Sequence, residues 1–110
     1  MGTGFLNDLL TVAVERGADA TLLTVRGELD HWSAAQLRDE LEGCLWSGAR
    51  QFVVDVVDVS FVDSGGIRPL LEATAAARHR GGDVSVVGAG SGFRSVVDAL
   101  HLGSRLSLDG

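Results

Sequence analysis

The segment Asp58-Val59-Ser60-Phe61-Val62-Asp63-Ser64-Gly65-Gly66-Ile67 is the part of the chain best suited to chemistry. An apolar strand pattern runs into a helical pattern here, which puts Ser64 where a helix begins. A helix N-terminus carries unpaired N–H groups and a partial positive charge, so anions are favoured there. A hydroxyl at this point is exposed, and a phosphate on it is partly stabilised by the helix end. Asp63 is adjacent, and Asp58 and Asp30 are expected nearby. New negative charge would then enter an acidic patch and alter the surface that a partner meets. On residue types alone the plainer reading is the stronger one: serine is a common helix N-cap, and Ser64 would have only that task. Gly65 and Gly66 suit both readings, since glycine admits unusual backbone angles and close approach of another chain.

Other chemistry is poorly served. A serine hydrolase elbow needs Gly-x-Ser-x-Gly, and position 62 is valine. His31, His79 and His101 are in principle bases for a nucleophile, but single histidines at helix ends are expected to be surface or capping residues. A phosphate-accepting receiver domain needs a late lysine, and the chain has none. Gly88-Ala89-Gly90-Ser91-Gly92-Phe93 resembles a dinucleotide loop, but its third glycine is replaced by Phe93 and too little chain follows for a ribose-binding acid. It reads as a turn. No metal-ligand spacing is present. Trp32, beside Asp30 and His31, reads equally as an exposed interface anchor or as packing; Trp46 reads as packing.

Alternating elements must position these residues. Leu10 to Glu15 and Ala20 to Arg26 read as strands joined by a short turn, hence antiparallel neighbours. Gly27-Glu28-Leu29-Asp30 leads into a helix with Ser33 as N-cap and Gln36 completing a capping box. Its buried stripe is Ala34, Leu37, Leu41, Cys44 and Leu45. The run Phe52 to Val57 is almost continuously apolar and β-branched, as in a central strand covered on both faces, and Asp58 to Gly66 is a connection with some extended character around Val59 to Val62. Ile67, Leu70, Leu71, Thr74, Ala77 and Arg78 mark a second helix. Pro69 belongs in a first turn, so the regular helix is expected to start near Gly65 or Gly66, or to be kinked. Asp83 to Val87 is a strand, Phe93 to Leu100 a third helix, and Arg105 to Leu108 a short last strand. The order β-β-α-β-α-β-α-β predicts a mixed α/β sheet with a parallel core and one antiparallel strand from the hairpin.

The chain has 110 residues, which predicts a single domain over 1–110 with its core at about 10–106. The net charge is −6, from 15 acidic and 9 basic residues, all of the latter arginine. An acidic domain with scattered arginines suits neither nucleic acid nor an anionic membrane. It suits solubility and charge-steered encounter with a basic patch on another protein. The lone Cys44 excludes an internal disulfide and fits a reducing compartment. Residues 1–10 show neither a leader nor a membrane span, so a cytoplasmic location is expected.

Four features together carry a resemblance to a known family. They are Gly27-Glu28-Leu29-Asp30 before the first helix, the apolar strand ending at Asp55, Asp63-Ser64-Gly65-Gly66-Ile67 followed by Leu70-Leu71, and Gly81-Gly82 before the next strand. In this order the chain, from about Leu10 to Leu106, resembles the STAS domain family, and within it the bacterial anti-sigma factor antagonists. The resemblance implies a non-enzymatic binding protein that regulates transcription in a stress response. Its unphosphorylated form would bind an anti-sigma factor that is itself a serine kinase. Phosphorylation of Ser64 would end that binding, and a serine phosphatase would reverse it. Asp30 and Asp63 would flank the phosphate site, Trp32 would join the partner-facing surface, and Gly65 and Gly66 would let the kinase approach. The chain would need no cofactor, because ATP and Mg²⁺ would belong to the kinase. The alternatives are a STAS scaffold or transporter-associated subunit in which Ser64 is never phosphorylated, and a small hydrolase using Ser64. Two departures stand out: Gly65 replaces the second hydroxyl residue frequent in the family, and Arg68-Pro69 replace its small residues.

Overall fold

A computed structural model describes residues 10–109; the leaderless reading of residues 1–9 lies outside them. Eight elements follow in order: β1 (Thr11–Arg16), β2 (Thr21–Leu29), α1 (Ala34–Trp46), β3 (Gln51–Val62), α2 (Ser64–His79), β4 (Asp83–Val87), α3 (Ser91–Ala99) and β5 (Ser107–Asp109). The strands form one sheet in the order β1-β2-β3-β4-β5. Only β1 and β2 are antiparallel; the other pairs are parallel, each joined through a helix. The expected order and sheet are therefore found. The last strand starts later than expected, at Ser107 rather than Arg105.

The core lies where alternate strand residues meet the inner stripes of the helices. Leu23 and Val25 of β2, Phe52, Val54 and Val56 of β3, and Val84 and Val86 of β4 are buried with Leu37 and Leu41 of α1 and Ile67 and Leu70 of α2. Phe93 and Val97 of α3 complete it. The inner stripe of α1 is the predicted one, including buried Cys44. β3 differs from the expectation of two covered faces. Val53 and Asp55 are half-buried and Val57 is exposed, so only one face carries the core.

β2 and β3 also run further than their apolar segments. Gly27 adopts φ +104° at an irregularity in the register, a backbone angle that glycine takes without penalty. Beyond it Glu28 and Leu29 pair with Phe61 and Val62. Asp58 and Ser60, read as a connection, belong to this extension. Asp58 faces Arg26 across the strands in an ion pair at 3.2 Å, and the Ser60 hydroxyl lies 3.4 Å from the Gly27 carbonyl. Polar cross-strand pairs of this kind hold a ladder together without a hydrophobic signal.

α2 begins at Ser64, before either expected start, so Pro69 lies beyond the first turn. Its missing N–H leaves the Gly65 carbonyl without the usual donor four residues on. The buried ring lines, with Leu41 and Leu45, a groove between α1 and α2. Among the described residues no helix is long and apolar enough to cross a membrane.

Candidate functional site

The last residues of β2 and β3, Leu29 and Val62, are register partners. Asp30 and Asp63 are therefore the first residues beyond two adjacent parallel strands, and the Asp63 N–H donates to the Leu29 carbonyl at 3.3 Å. Carboxyl ends of neighbouring parallel strands are a common place for binding sites in α/β sheets.

Each aspartate organises the helix that follows it. Asp63 has extended backbone angles (φ −126°, ψ −179°) and its Oδ1 accepts the Gly66 N–H at 2.9 Å. It is the N-cap of α2. Ser64 is the first helical residue, is exposed, and forms no side-chain hydrogen bond among the described residues. The capping reading of Ser64 is therefore overturned: the cap is one residue earlier, and the hydroxyl is left unengaged.

Before α1 the expected cap position is kept but its side-chain bond is not made. Ser33 precedes the helix, but its hydroxyl does not cap it; it donates to the Glu28 carbonyl at 2.7 Å and accepts the Asp30 N–H at 3.0 Å. Asp30 Oδ1 accepts the N–H groups of Trp32 and Ser33, both at 2.9 Å. The predicted capping box is absent, and Gln36 reaches instead to the Leu10 carbonyl at 2.7 Å. The Ser33 N–H is the main cause that holds the Asp30 carboxyl below its ordinary value, against the opposing effect of burial. The Ser33 hydroxyl and the Trp32 N–H add to it. Asp30 is thus a fixed negative charge beside the start of α2.

The two glycines face this chain's own backbone. A Cβ on buried Gly66 would lie 2.0 Å from the Leu29 carbonyl oxygen. One on half-buried Gly65 would meet His31 Cα and Cβ at 3.0 Å and Nδ1 at 3.3 Å. α2 therefore starts pressed against the β2–α1 connection. The His31 ring meets Trp32 edge to face with centroids 5.4 Å apart, and Trp32 is 87% exposed.

The structure thus brings Asp30, Trp32, Asp63, Ser64, Gly65 and Gly66 to one end of the sheet. Asp58 is not among them. It lies four residues before Val62, roughly 13 Å back along an extended strand, where it pairs with Arg26. Trp46 is a second correction: expected to pack, it is 93% exposed. Leu45 takes the inward position, and its successor is turned about 100° round the helix. The sequence presents His31 as a base in principle or a surface residue, and Arg68 as a departure from the family pattern, but places neither against the start of α2. Arg68 carried a signal, because it stands four residues after Ser64 on one helix; His31 had none, since its approach to Gly65 depends on strand register. Among the described residues no cluster of His, Cys, Asp and Glu could hold a metal ion.

This α/β architecture is found in known proteins. The anti-sigma factor antagonist SpoIIAA in its unphosphorylated form is similar with a TM-score of 0.73 at 18% identity, over 91% of this chain and 88% of that one. The Bacillus cell fate determinant SpoIIAA in its phosphorylated form gives 0.71 at 20% identity, over 91% and 92% of the two chains. An anti-sigma factor antagonist from Mycobacterium paratuberculosis gives 0.77 at 24% identity, over 92% and 86%. At these identities the likeness is one of fold. No curated protein sequence matches the chain. The family model described as "Mlab, STAS domain" matches residues 12–108. The chain belongs to the STAS domain family.

Proposed function

We propose that this chain is an anti-sigma factor antagonist switched by phosphorylation of Ser64. The observation that carries the reading is the unengaged, exposed Ser64 hydroxyl, set at the first position of α2 while Asp63 takes the capping task. A hydroxyl with no structural role is modified without disturbing the fold. The phosphate formed there meets the partial positive charge of the helix end, while Asp30 and Asp63 keep the surrounding surface acidic. That SpoIIAA is known in unphosphorylated and phosphorylated forms supports the reading by likeness of fold.

In the proposed cycle the unphosphorylated chain binds an anti-sigma factor with serine kinase activity and so frees a sigma factor. The Ser64 Oγ attacks the γ-phosphorus of ATP held with Mg²⁺ by that partner. The Oγ–P bond forms, the bond from the γ-phosphorus to the β–γ bridging oxygen breaks, the serine proton passes to a base, and ADP leaves. The chain itself binds and presents; the transfer chemistry belongs to the partner. The phosphate ends binding by charge and bulk at the contact surface, a water-using phosphatase removes it, and the cycle runs in the cytoplasm.

The test is intact mass after incubation with Mg-ATP in source-cell extracts from growing and stressed cultures, for wild type and Ser64→Ala. One added phosphate on wild type alone is expected. Ser64→Asp should fold normally and bind the captured kinase more weakly by calorimetry, though a carboxylate carries less charge than a phosphate. No phosphate in any extract, with a partner still bound, replaces the switch by the unphosphorylated scaffold reading. Unchanged affinity of Ser64→Asp would count against charge as the release mechanism.

A further inference from the structure

Beside Ser64 lies a recess whose charge is opposite to that of the molecule as a whole. A cavity of about 230 Å³ is lined by His31, Ala34, Ala35, Arg38, Gly65 and Arg68. None of the lining residues is acidic, although the chain carries a net charge of −6. Gly65, the residue next to Ser64, forms part of its wall. The two arginines differ in their commitments. The Arg38 Nε donates to Glu72 Oε1 at 2.8 Å. Arg68 is exposed and has no carboxylate partner among the described residues.

Arg68 also has the right place in the helix. Residues four apart lie on one helical face, and long side chains lean back toward the N-terminus. Arg68 therefore leans toward the turn that begins with Ser64. A planar guanidinium carries parallel N–H donors that match phosphate oxygens two at a time. Asp30 and Asp63 keep their charge but are turned to backbone N–H groups, and neither lines the recess.

We propose that Arg68 is a built-in receptor for a phosphate on Ser64, so that the modified state is held by this chain as well as read by its partner. The inference rests on the phosphorylation reading of Ser64 and adds a regulatory device to it. A phosphate drawn toward the recess between α1 and α2 is less available to a phosphatase, which prolongs the released state.

The test needs no kinase. Phosphoserine is installed at position 64 during translation in wild type, Arg68→Gln and Arg68→Lys, and circular dichroism checks that each folds. Phosphorus NMR then follows the second ionisation of the phosphate, which lies at about pH 6 when unpaired. The wild-type phosphate is expected to ionise about half a pH unit below that of Arg68→Gln, the scale of an exposed ion pair. High salt should shrink the difference, and Arg68→Lys should keep part of it. The Arg68 Nε–H resonance should shift on phosphorylation. Equal titration in wild type and Arg68→Gln, or an unmoved Arg68 resonance, overturns the proposal. Because the phosphate is placed synthetically, failure here leaves the kinase assay on Ser64 untouched. A negative kinase assay likewise leaves the receptor result standing.

Discussion

Which residue caps a helix depends on where the preceding strand stops, and both loops at the candidate site show it. By residue type the serines at 33 and 64 were the expected caps. In the structure Asp63 serves α2, and Asp30 gathers the backbone N–H groups ahead of α1. The reason is register. Leu29 and Val62 end their strands side by side, so an aspartate is the first residue past each strand; Asp63 is itself the N-cap of α2, whereas Asp30 stands three residues ahead of Ser33, the N-cap position of α1. Sequence patterns mark an approximate helix start, but they do not carry the strand pairing that fixes it. The two side chains should behave differently on deletion. Asp63→Ala is expected to cost about 1 kcal/mol, the usual worth of an N-cap. Ser64→Ala should stay within about 0.5 kcal/mol, as surface changes do. Chemical denaturation of both variants measures this, and a larger loss from Ser64→Ala would mean that its hydroxyl has a structural task after all.

Elements were legible wherever an apolar period marked them. The inner stripe of α1 from Ala34 to Leu45 was visible residue by residue; the core strands were visible as strands, though β3 buries one face where two were expected. The extensions of β2 and β3 were legible only in part: extended character showed around Val59 to Val62, as β3 bears out, but Gly27, Asp58 and Ser60 carry no strand signal. They are held by pairing with each other through Arg26–Asp58 and Leu29–Val62. This extension brings the Leu29 carbonyl against Gly66, and so seats the start of α2. Gly66→Ala should therefore destabilise by about 1–3 kcal/mol or more, since the added methyl has no space. Gly43→Ala, mid-way along α1 with nothing near its missing Cβ, should stabilise by about 0.5–1 kcal/mol. Thermal unfolding of the pair checks the opposite signs. A neutral Gly66→Ala would show that α2 can shift away from β2 at little cost.

At the scale of the whole molecule, the fold class and element order followed from the sequence because each crossover between parallel strands needs a helix. The placing of the tryptophans did not follow, because one position along a helix separates inside from outside. Trp32 and Trp46 sit at opposite ends of α1, some 20 Å apart along its axis, and both are largely exposed. Neither can report burial. Urea unfolding should show a cooperative transition by circular dichroism with little shift in tryptophan emission; a large blue-to-red shift would mean that one of them is covered in solution. A kinase docked at Ser64 should change the emission of a Trp46→Phe variant, in which only Trp32 remains, and leave that of Trp32→Phe unaltered.

The idle hydroxyl of Ser64 has a practical corollary. The sole cysteine of the chain, Cys44, is buried in the core, so a thiol introduced by Ser64→Cys would be the one that a reagent in solution can reach. A dye attached there would stand at the end of the sheet that also carries Trp32, without removing any contact that holds the domain together. The position thus offers an optical gauge of occupancy, read in real time, at the point where the partner is expected to arrive.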